Sequence, residues 1–168
     1  MDKMARLQTT PAVLRVSPAE SEHELAPPAE RDKRNTLWII SSCGEDPIRL
    51  GHILGGSNWN VRGVRTCREA TVLLPENPPP VVICERDLPD GNWKDILEAL
   101  TLLAPPPSLI VASRLADEYL WVEVLHLGGC DVLAKPFDEE EVLWAVTSAG
   151  RRWDYHREQT RRAEKAIA

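Results

Sequence analysis

The chain has 168 residues, of which 43% are hydrophobic and 27% charged, a balance typical of globular rather than disordered proteins. Its formal net charge of −6 argues against a nucleic-acid partner, because phosphate binding requires clustered lysine and arginine. The sequence has neither an apolar run near the roughly 20 residues of a membrane-spanning helix nor the apolar region of a secretory signal, so we expect a cytoplasmic protein without a membrane partner.

The first 34 residues differ in amino-acid composition from the rest of the chain. They are rich in Pro, Glu, Ala and Ser, show no sustained hydrophobic period, and carry acidic and basic residues whose charges cancel. Such a segment cannot bury enough apolar area to offset the entropy lost on ordering. We therefore predict a disordered arm over residues 1–34 and a folded domain over residues 35–153.

Short apolar segments predict the strands of this domain. Four of them are rich in Val, Ile and Leu and bounded by turn formers: Leu37–Ile40, Val81–Cys84, Leu109–Ala112 and Asp131–Ala134. Their continuous apolarity is typical of strands that are covered on both faces, as in a parallel sheet. The segment Asn60–Arg65 alternates polar and apolar residues, which suits an edge strand.

Helical patterns fill the gaps between these strands. Asp46 before Pro47 predicts a helix N-cap with proline in the first turn, and Thr66 with Glu69 fits a capping box. Further helices are predicted over Trp93–Leu103, over residues 117–127 and after a capping Asp138. Five such βα units with right-handed crossovers form a doubly wound open sheet, whose functional crevice lies beyond the carboxyl ends of the strands.

Three segments at those strand ends resemble the receiver domains of response regulators. Residues 85–91 (ERDLPDG) are similar to the family's acceptor loop, usually D-x-x-[LM]-P-x-x-G, and Ser113 ends the fourth strand where the family has Thr or Ser. Lys135, Pro136 and the following Phe match the family's K-P-F signature. The resemblance covers roughly residues 36–152. It implies a flavodoxin-like α/β fold, a doubly wound five-stranded parallel sheet in the order 2-1-3-4-5 with helices on both faces.

The residues that phosphorylation needs depart from the family pattern. In receiver domains Mg²⁺ bridges the phosphate and a strand-end aspartate, and two acidic residues after the first strand supply further hard oxygen ligands. Here those two positions are Ser41 and Ser42, and the acceptor position is Glu85. Glu85 and Lys135 give the crevice zero formal charge, so we expect Mg²⁺ binding to be lost or weak. We also expect no other cofactor and no enzymatic activity.

Other acidic residues nearby are weaker candidates. A shifted register would make Glu45 and Asp46 the acidic pair, but it shortens the interval to Glu85, and Asp46 is better explained as a helix cap. We therefore reject that register. Asp87 and Asp90 are alternative acceptors, although turn chemistry explains both of them better. The four cysteines are widely spaced, which favours free thiols over a zinc site.

Two roles for Lys135 remain open from the sequence. Its ammonium could form a partly buried ion pair with Glu85, which would hold the domain in one fixed state. Alternatively, Lys135 snorkels to solvent while its stem covers apolar surface. The resemblance also implies a cis Lys135–Pro136 bond, although sequence alone does not determine the isomer. Val132 stands where the family has the aromatic residue that rotates on activation.

The face formed by the fourth helix, fifth strand and fifth helix is, by resemblance, the surface for docking and for a homodimer. Here it spans residues 117–153 and includes four candidate partner residues: Trp121, His126, Trp144 and Trp153. Within helical or strand segments, Trp38, Trp121 and Trp144 are expected to be core or half-buried. The segment 154–168 is expected to extend the last helix as a basic tail, with an apolar seam too weak to predict a coiled coil.

About 15 residues follow residue 153, too few for an output domain. The sequence therefore predicts a stand-alone, atypical receiver in two-component or phosphorelay signalling, which binds a protein partner such as a histidine kinase or another signalling protein without phosphorylation. The alternative is a phosphorylatable receiver with a degenerate acceptor site. A small α/β enzyme or nucleotide binder is disfavoured, because the chain has neither G-x-G-x-x-G after its first strand nor a P-loop.

Overall fold

The computed structural model describes residues 35–167, so the predicted disordered arm lies outside the described part of the chain. The strands are β1 (Thr36–Ile40), β2 (Asn60–Val64), β3 (Val81–Glu85), β4 (Asp87–Leu88), β5 (Gly91–Asn92), β6 (Ser108–Ser113) and β7 (Asp131–Ala134). The helices are α1 (Glu45–Leu54), α2 (Cys67–Leu73), α3 (Trp93–Thr101), α4 (Glu118–Leu127) and α5 (Glu139–Ile167).

The main sheet confirms the predicted fold class. Its five strands are parallel and lie in the order β2-β1-β3-β6-β7, with the predicted edge strand β2 at one side. Because β6 and β7 are the fourth and fifth strands of this sheet, the order is the predicted 2-1-3-4-5. Two short strands, β4 and β5, form a separate antiparallel hairpin directly after β3.

The core lies on both sides of this sheet, since successive strand residues point to opposite faces. Trp38 and Ile40 of β1 pack on one side, where α2, α3 and α4 cover the sheet. Leu37 and Ile39 pack on the other side, against apolar residues of α1 and α5. This two-sided burial explains why the inner strands β1, β3 and β6 are continuously apolar. It also fixes the carboxyl ends of β1, β3, β6 and β7 along one edge.

The prediction that Asp46 caps α1 was wrong. The helix begins at Glu45 with Gly44 as its N-cap, and no side chain caps it. Asp46 is instead a buried residue in the first turn, and its carboxylate accepts hydrogen bonds from other elements. The predicted N-caps at Thr66 and Asp138 are confirmed, because their side chains accept the N–H groups of Glu69 at 3.1 Å and Glu141 at 3.0 Å. The reciprocal half of the capping box at Thr66 is not formed, since the Glu69 side chain accepts the N–H of Arg65 instead.

Helix α5 is the longest element of the described chain. It runs without interruption for 29 residues, about 43 Å at the α-helical rise. Its first half packs on the sheet, whereas residues 161–167 are all exposed. Within residues 35–167, no helix combines the length and the apolarity that crossing a bilayer would require.

Candidate functional site

Four polar side chains meet at the carboxyl edge of the sheet. Ser41 directly follows β1, where its N–H donates to the Val64 carbonyl at 2.9 Å. Glu85 is the last residue of β3, and Lys135 directly follows β7. These three were predicted from their strand-end positions, and the structure brings them together. The fourth, Asp46, reaches the same place from the first turn of α1. We call these four residues the charge cluster.

The ammonium of Lys135 is held by two carboxylates. Its Nζ donates to Glu85 Oε1 at 3.1 Å and also to Asp46 Oδ2. The Lys135 side chain is only 7% exposed, so the snorkelling role is wrong and the ion pair is present. Asp46 was not expected to take part. The two ion pairs of Lys135 therefore connect the first turn of α1 and the end of β3 to the end of β7.

Ser41 fixes the two carboxylates from the other side. Its Oγ lies 2.6 Å from Asp46 Oδ2 and 3.0 Å from Glu85 Oε2, and it accepts the N–H of Cys43 at 3.1 Å. A hydroxyl has one proton to donate, so Ser41 donates to one carboxylate at a time. With Lys135, it gives both carboxylates hydrogen-bond donors from within the chain.

The electrostatic environment favours the charged form of Lys135. Burial by itself lowers its pKa, but hydrogen bonds and charge from Asp46 and then Glu85 outweigh burial and raise the pKa above its usual value. The ammonium is therefore fully protonated at neutral pH. A permanent cation sits between the two carboxylates.

The crevice is more acidic than the sequence indicated. The expected zero charge counted only Glu85 and Lys135, whereas Asp46 makes the charge cluster two carboxylates and one ammonium, a net charge of −1. Rejecting Asp46 from the site was therefore wrong. The physical reason is that α1 begins only four residues after Ser41, so its first turn folds back over the strand end. Glu45, the other half of the rejected pair, is exposed.

These donors fit a divalent cation poorly. Mg²⁺ requires several hard oxygen ligands. However, Lys135 already donates to Asp46 Oδ2 and Glu85 Oε1, and Asp46 Oδ2 and Glu85 Oε2 share the single Ser41 proton. Within residues 35–167, no group of three or more His, Cys, Asp or Glu side chains converges in a metal-binding arrangement. A cation at this place would compete with the Lys135 ammonium for the same two carboxylates.

The other K-P-F and strand-end residues support the cleft beside the cluster. Ser113 is buried, and its Oγ accepts the N–H of Leu115 at 3.1 Å while its carbonyl accepts the N–H of Lys135 at 3.0 Å. Ser113 thus positions Lys135 through the backbone. The Lys135–Pro136 bond is cis, as the resemblance implied. Arg114 and Pro136 line a cleft of about 280 Å³ next to Asp46.

The remaining acidic residues of the acceptor loop point elsewhere. Pro89 and Asp90 form the turn between β4 and β5, in agreement with the turn interpretation. Asp90 also accepts the N–H groups of Arg68 and Cys67, both at 2.9 Å, and these bonds lower its pKa. The Asp87 side chain is 81% exposed beside Arg86. Asp87 and Asp90 have no hydrogen bond to Lys135.

A second feature is an open groove between α4 and α5. It encloses about 710 Å³ above β7, and Trp121 and Trp144 stand in its walls. The Trp144 side chain is 68% exposed and Trp121 is 47% exposed, so the expectation that they are core or half-buried was wrong for both, whereas Trp38 lies in the core as expected. Of the other two candidate partner residues, His126 is exposed and Trp153 is half-buried.

The fold, with polar residues at the carboxyl ends of its strands, is that of receiver domains. No family model matches the chain. It is 25% identical over 116 residues to the chemotaxis protein CheY of Thermotoga maritima, covering 68% of this chain and 97% of CheY. It is 35% identical over 100 residues to the transcriptional regulatory protein KdpE of Mycobacterium tuberculosis, covering 56% of this chain and 44% of KdpE. The chain thus spans less than half of the length of KdpE.

Solved structures agree on the fold. A signal receiver domain of an HD domain-containing protein from Pseudomonas fluorescens superimposes with a TM-score of 0.66 at 23% identity, covering 75% of this chain and 93% of that one. A response regulator receiver domain protein from Clostridium thermocellum gives a TM-score of 0.64 at 19% identity, covering 72% and 98%. The chain therefore has the receiver fold, and its relatives are two-component response regulators.

Proposed function

We propose that this domain acts in two-component or phosphorelay signalling as a protein-interaction module that does not depend on phosphorylation. The observation that carries the proposal is the Lys135 ammonium, which is buried between Asp46 and Glu85. In receivers the corresponding lysine contacts the phosphate when it arrives. Here a pair of carboxylates already holds it.

Phosphoryl transfer to Glu85 is disfavoured by geometry. Glu85 Oε1 accepts a hydrogen bond from Lys135, and Oε2 shares the single Ser41 proton with Asp46, so attack on a donor by either oxygen would disturb the cluster. The glutamate also carries its carboxylate one methylene further than an aspartate would, and in-line transfer tolerates a misplacement of about 1 Å poorly. The poor fit of the site to Mg²⁺ also disfavours phosphoryl transfer. The proposal therefore includes weak or absent Mg²⁺ binding and no enzymatic activity.

The charge cluster also gives a reason for a fixed conformation. It ties the first turn of α1 to the ends of β3 and β7, and separating these elements would leave uncompensated charges in a mostly buried place. A partner would then bind a surface whose conformation does not change with phosphorylation. We assign that surface to the face of residues 117–153, where Trp121 and Trp144 are exposed. A histidine kinase or another signalling protein is the expected class of partner.

The experiment that tests the proposal is incubation with acetyl phosphate and Mg²⁺, followed by intact-mass measurement. We expect no phosphoryl adduct on this chain under conditions that modify CheY of Thermotoga maritima, which serves as the positive control. An adduct that peptide mapping places on Glu85, Asp46 or Asp87 would instead support the alternative, a phosphorylatable receiver with a degenerate acceptor site. The stand-alone role and the cytoplasmic location stay predictions.

A further inference from the structure

The floor of the groove between α4 and α5 is an open edge of the sheet. Among the described strands, β7 pairs only with β6, and all four residues of β7 line the groove. Helix α4 packs on one face of the sheet and α5 on the other, so these helices form the two walls. A strand at an edge leaves backbone N–H and C=O groups unpaired in the sheet, and it can therefore pair with one further extended segment.

The walls of the groove are acidic and aromatic. Its lining has no Lys or Arg but includes Trp121, Trp144 and five acidic residues: Asp117, Glu118, Asp131, Glu140 and Glu141. Within residues 35–167, none of these five carboxylates belongs to an ion pair. In the same part of the chain, no Lys or Arg stacks on either tryptophan ring. The groove therefore suits an extended occupant that is both basic and apolar.

The chain carries a segment of matching charge ahead of the described domain. Acidic and basic residues balance over residues 1–34 as a whole, but they are not evenly distributed. Residues 1–16 have three basic residues and one acidic residue, a net charge of +2. Residues 17–34 have three basic and five acidic residues, a net charge of −2. Only the first 16 residues are therefore complementary in charge to the groove, because the acidic stretch after them is repelled by its carboxylates.

The same segment ends in a sequence that suits an added strand. Residues 12–16 (AVLRV) are rich in valine and contain neither Gly nor Pro. In an extended conformation Leu14 and Val16 point to one side, and Val13 and Arg15 point to the other. Beside β7 these two sides face the two walls of the groove, each of which presents one tryptophan and two carboxylates. Apolar and ionic contacts are thus available on both sides of such a strand.

The stretch between this segment and the domain is long enough to reach the groove. Strands β3 and β6 lie between β1 and β7, so a strand added beside β7 is four strand spacings, about 19 Å, from β1. Residues 17–34 form an 18-residue connection to the start of β1, and a flexible chain of that length has a root-mean-square end-to-end distance of about 23 Å. Such a tether gives the segment an effective concentration of about 1 mM at the groove.

We propose that residues 1–16 of this chain occupy the groove of the same molecule, with residues 12–16 as a sixth strand beside β7 and with Arg6 and Arg15 against the groove carboxylates. The contact itself does not depend on the proposed function, but its consequence rests on it. The groove lies in the face of residues 117–153, so the docked segment covers the surface assigned to the partner, and the partner has to displace it. A dissociation constant of about 0.1 mM for the separate segment is enough for a tenfold excess of the docked form.

Trypsin cleavage of the full chain, followed by mass spectrometry, tests the proposal. Cleavage after Arg15 requires the segment to leave the groove, so its rate follows the undocked population. Relative to cleavage after Arg31 in the same chain, we expect it to be at least fivefold slower in the wild type than in Glu140→Gln/Glu141→Gln, which removes two groove charges. Raising the salt concentration is expected to remove the protection. Glu139→Gln is the matched control, since it changes the same first turn of α5 outside the groove and should keep the wild-type ratio.

A ¹H–¹⁵N NMR comparison of full chains locates the contact. The amides of residues 131–134 and the indole N–H signals of Trp121 and Trp144 are expected to differ between the wild type and Arg6→Glu/Arg15→Glu, at every protein concentration. Unchanged signals would overturn the inference, as would equal cleavage ratios in the wild type and Glu140→Gln/Glu141→Gln. Signals that move with protein concentration would show that a second copy occupies the groove, which would also overturn it.

Thermal unfolding of each variant shows whether it is folded. If Glu140→Gln/Glu141→Gln is not, Arg6→Glu/Arg15→Glu provides the test through the NMR signals, because its two substitutions lie outside the described domain. All these outcomes leave the acetyl phosphate experiment unaffected. The failure of the docked segment and the failure of the proposed function are therefore distinguishable.

Discussion

At the scale of single residues, Lys135 is the centre of the site. Its cation is nearly buried and is bonded to Asp46 and Glu85, so three charges share a small volume from which most water is excluded. Such a group gains little net stability over an apolar replacement of the whole set, because burying each charge is costly. Removing only one of the three charges is destabilising, because the remaining charges then stay buried without an opposite charge beside them.

Replacing Lys135 with Met is therefore expected to lower the free energy of unfolding by about 3 kcal/mol, because two carboxylates would face each other without a cation. Urea denaturation measures this difference. The control is Lys94→Met, which breaks an ion pair with Glu123 whose side chains are 50% and 43% exposed and should cost less than about 1 kcal/mol. Equal losses in the two variants would show that the cluster is not a compensated buried set.

Stability is also expected to fall at alkaline pH. A raised pKa means that the folded chain keeps a proton that the unfolded chain has lost, so the stabilisation is complete below the unfolded-state pKa and disappears as pH rises through the folded-state value. Burial, and then the charges of Asp90 and Asp95, raise the pKa of Cys67 from 9.0 to about 11, and the pKa of Lys135 is raised from 10.5.

The free energy of unfolding should therefore decline from about pH 9 upwards, with Cys67 contributing before Lys135. In Cys67→Ala the decline is expected to be shallower, because one of two contributing thiols is lost. Buried Cys84, whose pKa burial also raises well above 9.0, still contributes in that variant. Urea denaturation across this pH range checks both profiles. A wild-type stability that stays constant to pH 11, or identical profiles for the two proteins, would contradict the assigned pKa shifts.

Three of the four site residues could be predicted from their positions at strand ends, and the fourth could not. Ser41, Glu85 and Lys135 directly follow or end strands, so the parallel sheet alone brings them together. Asp46 could not be predicted in this way, because the Asp-Pro pair has a sufficient local explanation as a helix start. Its actual role depends on the unpaired charge of Lys135, which comes from a distant part of the chain. A tertiary ion pair outweighed a local capping preference.

At the scale of elements, the inner strands β1, β3 and β6 were predictable because burial on both faces favours continuous apolar runs. The edge strand β2 was predictable from its alternation of polar and apolar residues instead. The buried faces of the helices were less predictable than the strands. Trp144 has the spacing of a helical residue, but spacing does not reveal which face of α5 meets the sheet. Thr66 and Asp138 were predictable as caps, since their side chains bond to N–H groups three residues further along the chain, a purely local interaction.

The end of α4 provides a test of backbone conformation. Gly128 has φ of 110°, in the left-handed region that other residues adopt at a cost. Gly128→Ala is expected to lower the free energy of unfolding by about 1 kcal/mol. Gly51→Ala is the matched control with the opposite sign, because Gly51 lies inside α1 with open space around a built Cβ, and alanine there should add about 0.5–1 kcal/mol. Thermal or urea unfolding of both variants measures the pair, and equal signs would contradict the assignment.

At the scale of the whole molecule, the two sides of the sheet and the projecting end of α5 have different roles. The core on both sides holds the charge cluster in place, whereas residues 161–167 of α5 are exposed and add little to the core. Ending the chain after Arg157 keeps the contact of that guanidinium with the Trp153 ring. We expect the truncated chain to unfold at nearly the same temperature in a thermal denaturation experiment. A large loss of thermal stability would mean that the tail belongs to the folded core.

We infer that the Lys135 ammonium, as an internal cation, balances the two carboxylates that an external cation would otherwise bind. A ¹H–¹⁵N NMR titration of the wild type with Mg²⁺ tests this most directly. We predict no saturable shifts at millimolar Mg²⁺ in the amides of residues 41–46 and 85, and we predict such shifts in Lys135→Met, where both carboxylates lose their cation. Saturable shifts at those amides in the wild type would contradict the account.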